Sequence, residues 1–162
     1  MDDMSYIQFL CHEGYNETDI GGLIGQGPVN CSEFVHTTGE DALNYPTMQL
    51  TLRSNKEPTT GNFRRTVTNV GPPQSVYNAT IKAPAGVEIV VQPMSLSFSK
   101  ASQKRSFKVV VKAKPVSKNV MILSGSLTWK SSGHTVRSPI VIYNQWAEQD
   151  MELGEGDLIK SQ

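Results

Sequence analysis

Three histidines, two cysteines and three Asn-X-Ser/Thr tripeptides are the residues of this chain whose types could do chemistry. A serine nucleophile needs a histidine that an acid holds in place. His12 falls near the end of a predicted helix and His36 in a predicted loop, while His134 follows the turn Ser131-Ser132-Gly133. Ser132 is close to His134 in sequence, but a tight turn points such side chains outward. There is no G-x-S-x-G elbow. The acid pairs Asp2-Asp3 and Glu40-Asp41 lie in terminal or loop segments, where carboxylates are solvated. No predicted strand aims a carboxylate into the interior, where its pKa would rise for acid or base work. Gly21-Gly22-Leu23-Ile24-Gly25 lacks the lysine and the preceding strand of a phosphate loop. With no C-x-x-C and no His/Cys cluster, a structural zinc site is not expected either. The residues therefore predict no catalytic site, no metal and no cofactor.

Cys11 and Cys31 allow either one disulfide or two unrelated thiols. A bridge over that loop would contribute about 3 kcal/mol in the chain-entropy picture. Asn16-Glu17-Thr18, Asn30-Cys31-Ser32 and Asn78-Ala79-Thr80 are N-glycosylation acceptor patterns, so Asn16, Asn30 and Asn78 are candidate glycan sites. Asn78 alternates with Tyr77 and Ala79, which places it on the solvent side if those two face a core. A glycan and a disulfide both require the secretory pathway. Against that, Met1-Asp2-Asp3-Met4 has neither the basic nor the apolar stretch of a signal peptide, so the chain by itself is expected to lack one. No apolar run approaches the roughly 20 residues of a membrane-spanning helix.

The net charge of zero conceals a segregation. Residues 1–46 carry −8, residues 47–142 carry +12 and residues 143–162 carry −4. A basic body between acidic ends can attract those ends or an external polyanion. Arg64-Arg65, Lys104-Arg105 and Lys112/Lys114 are expected on outward strand positions. Phe107 and Trp129 are expected to point inward, so no aromatic is left beside the charges to stack on bases. Nucleic-acid binding is therefore not expected.

Three segments must position these residues. Met4, Ile7, Leu10 and Cys11 recur at helical spacing, with Gly14 as a stop. A second short helix is predicted over 19–24, capped by Thr18 and ended by Gly25, though Gly21 and Gly22 weaken it. Residues 26–46 read as a long loop. From there the period becomes two. Strands are predicted near 48–53, 62–69, 87–92, 94–98 and 134–142, and around Tyr77–Ala83, Phe107–Lys112 and Ser126–Lys130. Thr66–Ile81 reads as two neighbouring strands around Gly71-Pro72-Pro73. Short alternating strands with frequent turns predict an antiparallel β-sandwich anchored by Phe107, Trp129 and Tyr77. The domain plan is a helical and loop lead-in over 1–46, a sandwich over 47–142 and a polar, disordered tail over 143–162.

Several stretches are similar to plant subtilisin-like serine proteases of the cucumisin-like group. "YIQFLCHEGYNETDIGGLIG" resembles the close of the protease domain, and "LNYPTMQL" resembles the lead into the C-terminal domain. "RRTVTNVG", "YNATIKAPAGVEIVVQPMSLSFS" and "GSLTWKSSGHTVRSPIVI" resemble the strands of that family's fibronectin type III-like sandwich. The resemblance spans about residues 4–142. It implies a secreted, extracellular origin and pairing of Cys11 with Cys31. It also implies a non-catalytic accessory role, in which the sandwich packs on a protease domain and supports its folding. The family's catalytic Asp, His and Ser segments lie upstream of the matching region, and its Gly-Thr-Ser-Met motif is absent here. No catalytic residue carries over, and a truncated product, a gene fragment or a partial gene model is expected. The tail after Ile142 has no match. Such a product would expose Ile7 and Leu10 of the lead-in. The rival readings are a stand-alone module for acidic cell-wall polysaccharide, a hydrolase with an unrecognised site, and a non-functional gene product.

Overall fold

A computed structural model describes residues 3–33 and 43–147. Two short helices lead. Helix α1 spans Asp3–His12, and Gly14 ends it at φ +80°, its N–H donating to the Cys11 carbonyl. Helix α2 spans Glu17–Leu23, two residues earlier than the sequence suggests. Asn16, not Thr18, is its N-cap. Asn16 is extended, and its Oδ1 accepts the Thr18 N–H at 2.8 Å, which satisfies a free donor of the first turn. A single 3-10 turn follows at Cys31–Glu33, inside the predicted loop.

Among the described residues, eight strands form the body: β1 Met48–Thr51, β2 Thr59–Thr68, β3 Ser75–Lys82, β4 Val87–Gln92, β5 Ser95–Phe98, β6 Lys104–Ala113, β7 Ile122–Lys130 and β8 Thr135–Tyr143. They divide into a five-stranded sheet, β1-β8-β7-β3-β5, and a three-stranded sheet, β2-β6-β4. Two features depart from the expected antiparallel plan. β1 runs parallel to β8, with Met48 opposite Ile140. And β2 and β3 do not pair, because Gly71-Pro72-Pro73 carries the chain from one sheet to the other. Asn69 fixes that crossing. Its buried side chain donates to the Pro72 carbonyl and accepts from the Gly71 N–H, while its backbone pairs with Gln103 and Ser102. Tethers of this kind hold two loops at one end of the sandwich.

Alternation decides which side chains meet between the sheets. Phe63, Val109 and Val111 of one sheet face Leu50, Leu127, Ile140 and Ile142 of the other, and all are fully buried. Phe107 and Trp129 stack edge to face with centroids 5.0 Å apart, as expected of the anchors. Tyr77 is only half-buried and packs its ring on Phe98. The anchor that was not expected is Phe63. Its ring and the Leu50 side chain lie close over bare backbone, since a Cβ on Gly61 would stand 2.8 Å from Leu50 Cδ1 and 3.2 Å from the Phe63 ring.

The body extends past residue 142. Tyr143 belongs to β8. Asn144 is buried and donates to the Ser117 and Val120 carbonyls, so it ties the loop before β7 to the end of the sandwich. The remainder of the predicted tail, 148–162, lies outside the described residues.

Candidate functional site

Residues 43–47, just before β1, are tied to the sandwich by side-chain hydrogen bonds. They include the Leu43-Asn44-Tyr45-Pro46 motif. The Asn44 side chain acts as a short strand: its Oδ1 accepts the Thr66 N–H at 2.8 Å and its Nδ2 donates to the Thr66 carbonyl at 2.7 Å. This pairs the outer edge of β2, which has no neighbouring strand there. Arg65 supplies the second tie. It is 4% exposed, contrary to the outward position expected from its charge. Its Nε donates to the Tyr45 carbonyl at 2.6 Å, and its guanidinium nitrogens donate to the Thr47 and Arg64 carbonyls. Residues Phe63, Arg65 and Val67 share one side of β2, so parity alone turns Arg65 inward. There the guanidinium lies 5.6 Å from the Phe63 ring centroid. A flat, five-donor group suits this place because it can bond several carbonyls at once.

The lead-in is built around its own covalent tie. Cys11 of α1 and Cys31 of the 3-10 turn are disulfide-bonded, with Cα atoms 5.4 Å apart. Glu17, in the first turn of α2, holds the same turn: its Oε1 accepts the Cys31 N–H at 2.7 Å, and its carbonyl accepts the Val29 N–H. Gly21, which weakens the helix on propensity, is buried and explained by this packing. A Cβ there would collide with the Gly27 carbonyl oxygen, so the loop returns directly over the helix backbone. The Gly21→Ala substitution is expected to cost about 1–3 kcal/mol through this backbone clash. It should release the lead-in first, seen as faster amide exchange at Gln26 and Val29 than in the sandwich. Ile7 is buried, not exposed as expected, and Leu10 is half-buried. Among the described residues of the lead-in, Leu23, 73% exposed, shows apolar surface to solvent together with Tyr15 and Tyr6.

The three acceptor asparagines differ in setting. Asn78 is exposed on β3, on the outer face of the five-stranded sheet, opposite Lys130 and Ser95. Thr80, its partner in the tripeptide, points to the same side. Asn16 is exposed but occupied as the cap of α2. Asn30 is exposed with its amide engaged at both ends: Nδ2 donates to Glu33 Oε1 at 2.9 Å, and Oδ1 accepts from the Ser32 hydroxyl and N–H.

Of the three histidines, His134 is the one whose side chain falls among the described residues. His134 is exposed, and its backbone N–H and carbonyl bond Ser131 across the turn. Ser132 is exposed beside it. His36 and the pair Glu40-Asp41 lie outside the described residues, as do Asp2 and the side chains of Asp3 and His12. Among the described residues, no three metal-ligating side chains cluster. No helix among them is long and apolar enough to cross a membrane. At one end of the sandwich the sheets part to leave an apolar cleft lined by Val67, Tyr77, Phe98, Trp129 and Val136. The Trp129 Nε1–H has no hydrogen-bond partner in this interior. Of the bonded groups above, reading by charge and composition missed Arg65. The signal was available in the period-two spacing Phe63-x-Arg65-x-Val67.

The chain is similar in sequence to plant proteins described as subtilisin-like proteases. The chain is 65% identical over 144 residues to subtilisin-like protease SBT4.14 of Arabidopsis thaliana, covering 89% of this chain and 19% of that protein. It is 40% identical over 147 residues to SBT4.15 of the same plant, and 38% identical over 137 residues to subtilisin-like protease Glyma18g48580 of Glycine max. Those matches cover 86% and 85% of this chain, but 19% and 16% of the relatives. The chain thus spans about a fifth of the length of the curated relatives it matches. Residues 42–142, which hold the connector from Leu43 onward and almost the whole sandwich, match the fibronectin type-III domain. The chain therefore belongs to the fibronectin type-III domain family, in a form similar to that of plant subtilisin-like proteases.

Proposed function

We propose that this chain is a non-catalytic accessory module of an extracellular subtilisin-like endopeptidase, docking on the protease domain and holding it folded. The observation that carries this reading is the bonded connector. Ties of this kind fix the direction in which residues 44–47 enter the sandwich, which favours docking in one orientation. Arg65 and Asn44 remove the freedom of residues 44–47, with hydrogen bonds to both backbone and side chain. The Cys11–Cys31 bridge supports the same reading, since it stiffens the lead-in and suits an oxidising compartment. The exposed Leu23 and Tyr15 offer apolar surface for a protein neighbour to cover. In this proposal residues 1–46 belong structurally with the protease domain, and residues 47–142 form the accessory sandwich. The chain itself contributes no catalytic residue and takes no cofactor. Asn78 carries an N-glycan on an exposed face, and Asn16 and Asn30 are further acceptors in local turns.

The test uses a related plant subtilisin-like protease produced without the region that matches this chain. Adding the purified chain in trans is expected to raise the melting temperature of that protease and to restore peptide hydrolysis. No change in either would overturn the docking role. Labelling of the isolated chain by a fluorophosphonate probe would overturn its non-catalytic assignment. For the glycan, expression in a plant host should give a mobility shift on peptide N-glycosidase treatment, and Asn78→Gln should remove most of it.

A further inference from the structure

The outer face of the three-stranded sheet has an arrangement that stability does not explain. Arg64 of β2 stands directly opposite Lys108 of β6, and both are exposed. Directly opposed residues on neighbouring strands lie about 5 Å apart, where like charges destabilise a sheet. The third strand does not neutralise them, because Lys108 meets Gln92 on its other side. Among the described residues, no hydrogen bond or ion pair engages the side chain of either cation. Lys104 extends the positive row along β6, while Lys112 faces the one acid of the face, Glu88. Around the cations stand hydrogen-bonding groups: Thr60, Asn62, Gln92 and the bonded hydroxyl pair Thr66–Ser106.

We infer that this face, centred on Arg64 and Lys108, binds acidic polysaccharide of the polyuronate class. Its chemistry selects the ligand. The largest apolar residues on the face are Val90 and Val110, so it lacks the aromatic and large apolar core of a protein-binding surface. The same lack of aromatics leaves nothing to stack on bases. A flat, hydroxyl- and amide-bearing surface with unneutralised cations matches a linear chain that repeats carboxylates and hydroxyls. The opposite outer face is less suited. There Lys130 opposes Asn78 and Thr135, and Arg137 opposes Thr128, so its cations are dispersed. The site gains its ligand in the extracellular placement proposed above, but its binding chemistry is independent of that placement and of any protease domain.

The experiment measures binding of the purified full chain to polygalacturonate by calorimetry at low salt. Wild-type protein is expected to bind, with affinity lost at about 0.5 M NaCl as the charges are screened. The double variant Arg64→Gln/Lys108→Gln should weaken binding by about tenfold. Lys82→Gln/Lys130→Gln removes the same net charge from the other sheet and should leave affinity unchanged. Equal loss in both variants would show binding to net charge and overturn the site. Absence of wild-type binding would overturn it as well. Equal affinity for polyglutamate or single-stranded DNA would overturn the polysaccharide assignment. Because all four positions are exposed, neither variant is expected to lose melting temperature, and relief of the Arg64–Lys108 repulsion should raise it slightly in the first.

Discussion

The Arg65→Met variant should unfold about 3 kcal/mol more easily than the wild type in urea titration, although it removes a charge from an already basic body. The loss comes from the carbonyls left behind. Tyr45, Thr47 and Arg64 each direct a carbonyl to the guanidinium, and a methionine of similar length offers no donor. A carbonyl that loses its donor costs free energy to the extent that water cannot replace the bond. The Arg65→Lys variant separates charge from shape. Lysine keeps the charge but cannot bond three carbonyls from one plane, so it should recover only part of the loss. Amide exchange locates the effect: residues 44–48 should exchange faster in the methionine variant, while β7 should not change until global unfolding. Equal stability of variant and wild type would remove the structural role of the guanidinium and weaken the argument for a stiff connector.

Phe63→Ala should have a larger effect, about 3–5 kcal/mol, because it empties the centre of the core. Phe63 has no exposed surface. Its ring lies against the backbone at Gly61 and near Leu50, and backbone cannot move inward to fill the space. Phe63→Leu should cost less, since it keeps most of the volume. The two Discussion variants are also coupled. The guanidinium of Arg65 sits by the Phe63 ring, so in the alanine background its orientation is less fixed. The double variant is then expected to lose less than the two single losses added, as neighbouring residues do. Strict additivity would mean that the ring does not hold the guanidinium.

These two residues also mark where the sequence was easy to read and where it was not. Strand β4 at 87–92, the inward set Phe107, Val109 and Val111, and the stacked Trp129 follow from alternation of apolar and polar residues. Gly14 as a helix stop follows from its being a glycine, and it holds the positive φ that glycine tolerates. Arg65 did not follow, because its charge suggested solvent while its parity put it beside Phe63. The parallel β1–β8 pair and the crossing between β2 and β3 leave no local pattern at all. They depend on contacts between residues far apart in sequence. For Gly21, helix propensity gave the wrong emphasis, since the residue is required by the loop that returns over it. The candidate site was partly visible. The Leu-Asn-Tyr-Pro stretch could be recognised by resemblance, but its bonds to Arg65 and Thr66 needed the folded chain.

The parallel pair has a mechanical consequence. β1 and β8 are the first and last strands of the sandwich and lie side by side over Met48–Thr51 and Ile140–Tyr143. The chain reaches β1 at its start and leaves β8 at its far end. A pull applied through residues 43 and 147 in opposite directions therefore slides one strand along the other. The hydrogen bonds of this pair are loaded together, in shear, and must yield together. An antiparallel pair pulled by the same ends would peel open one bond at a time at lower force. A module held in a matrix on one side and joined to a neighbour on the other would thus resist tension along the chain.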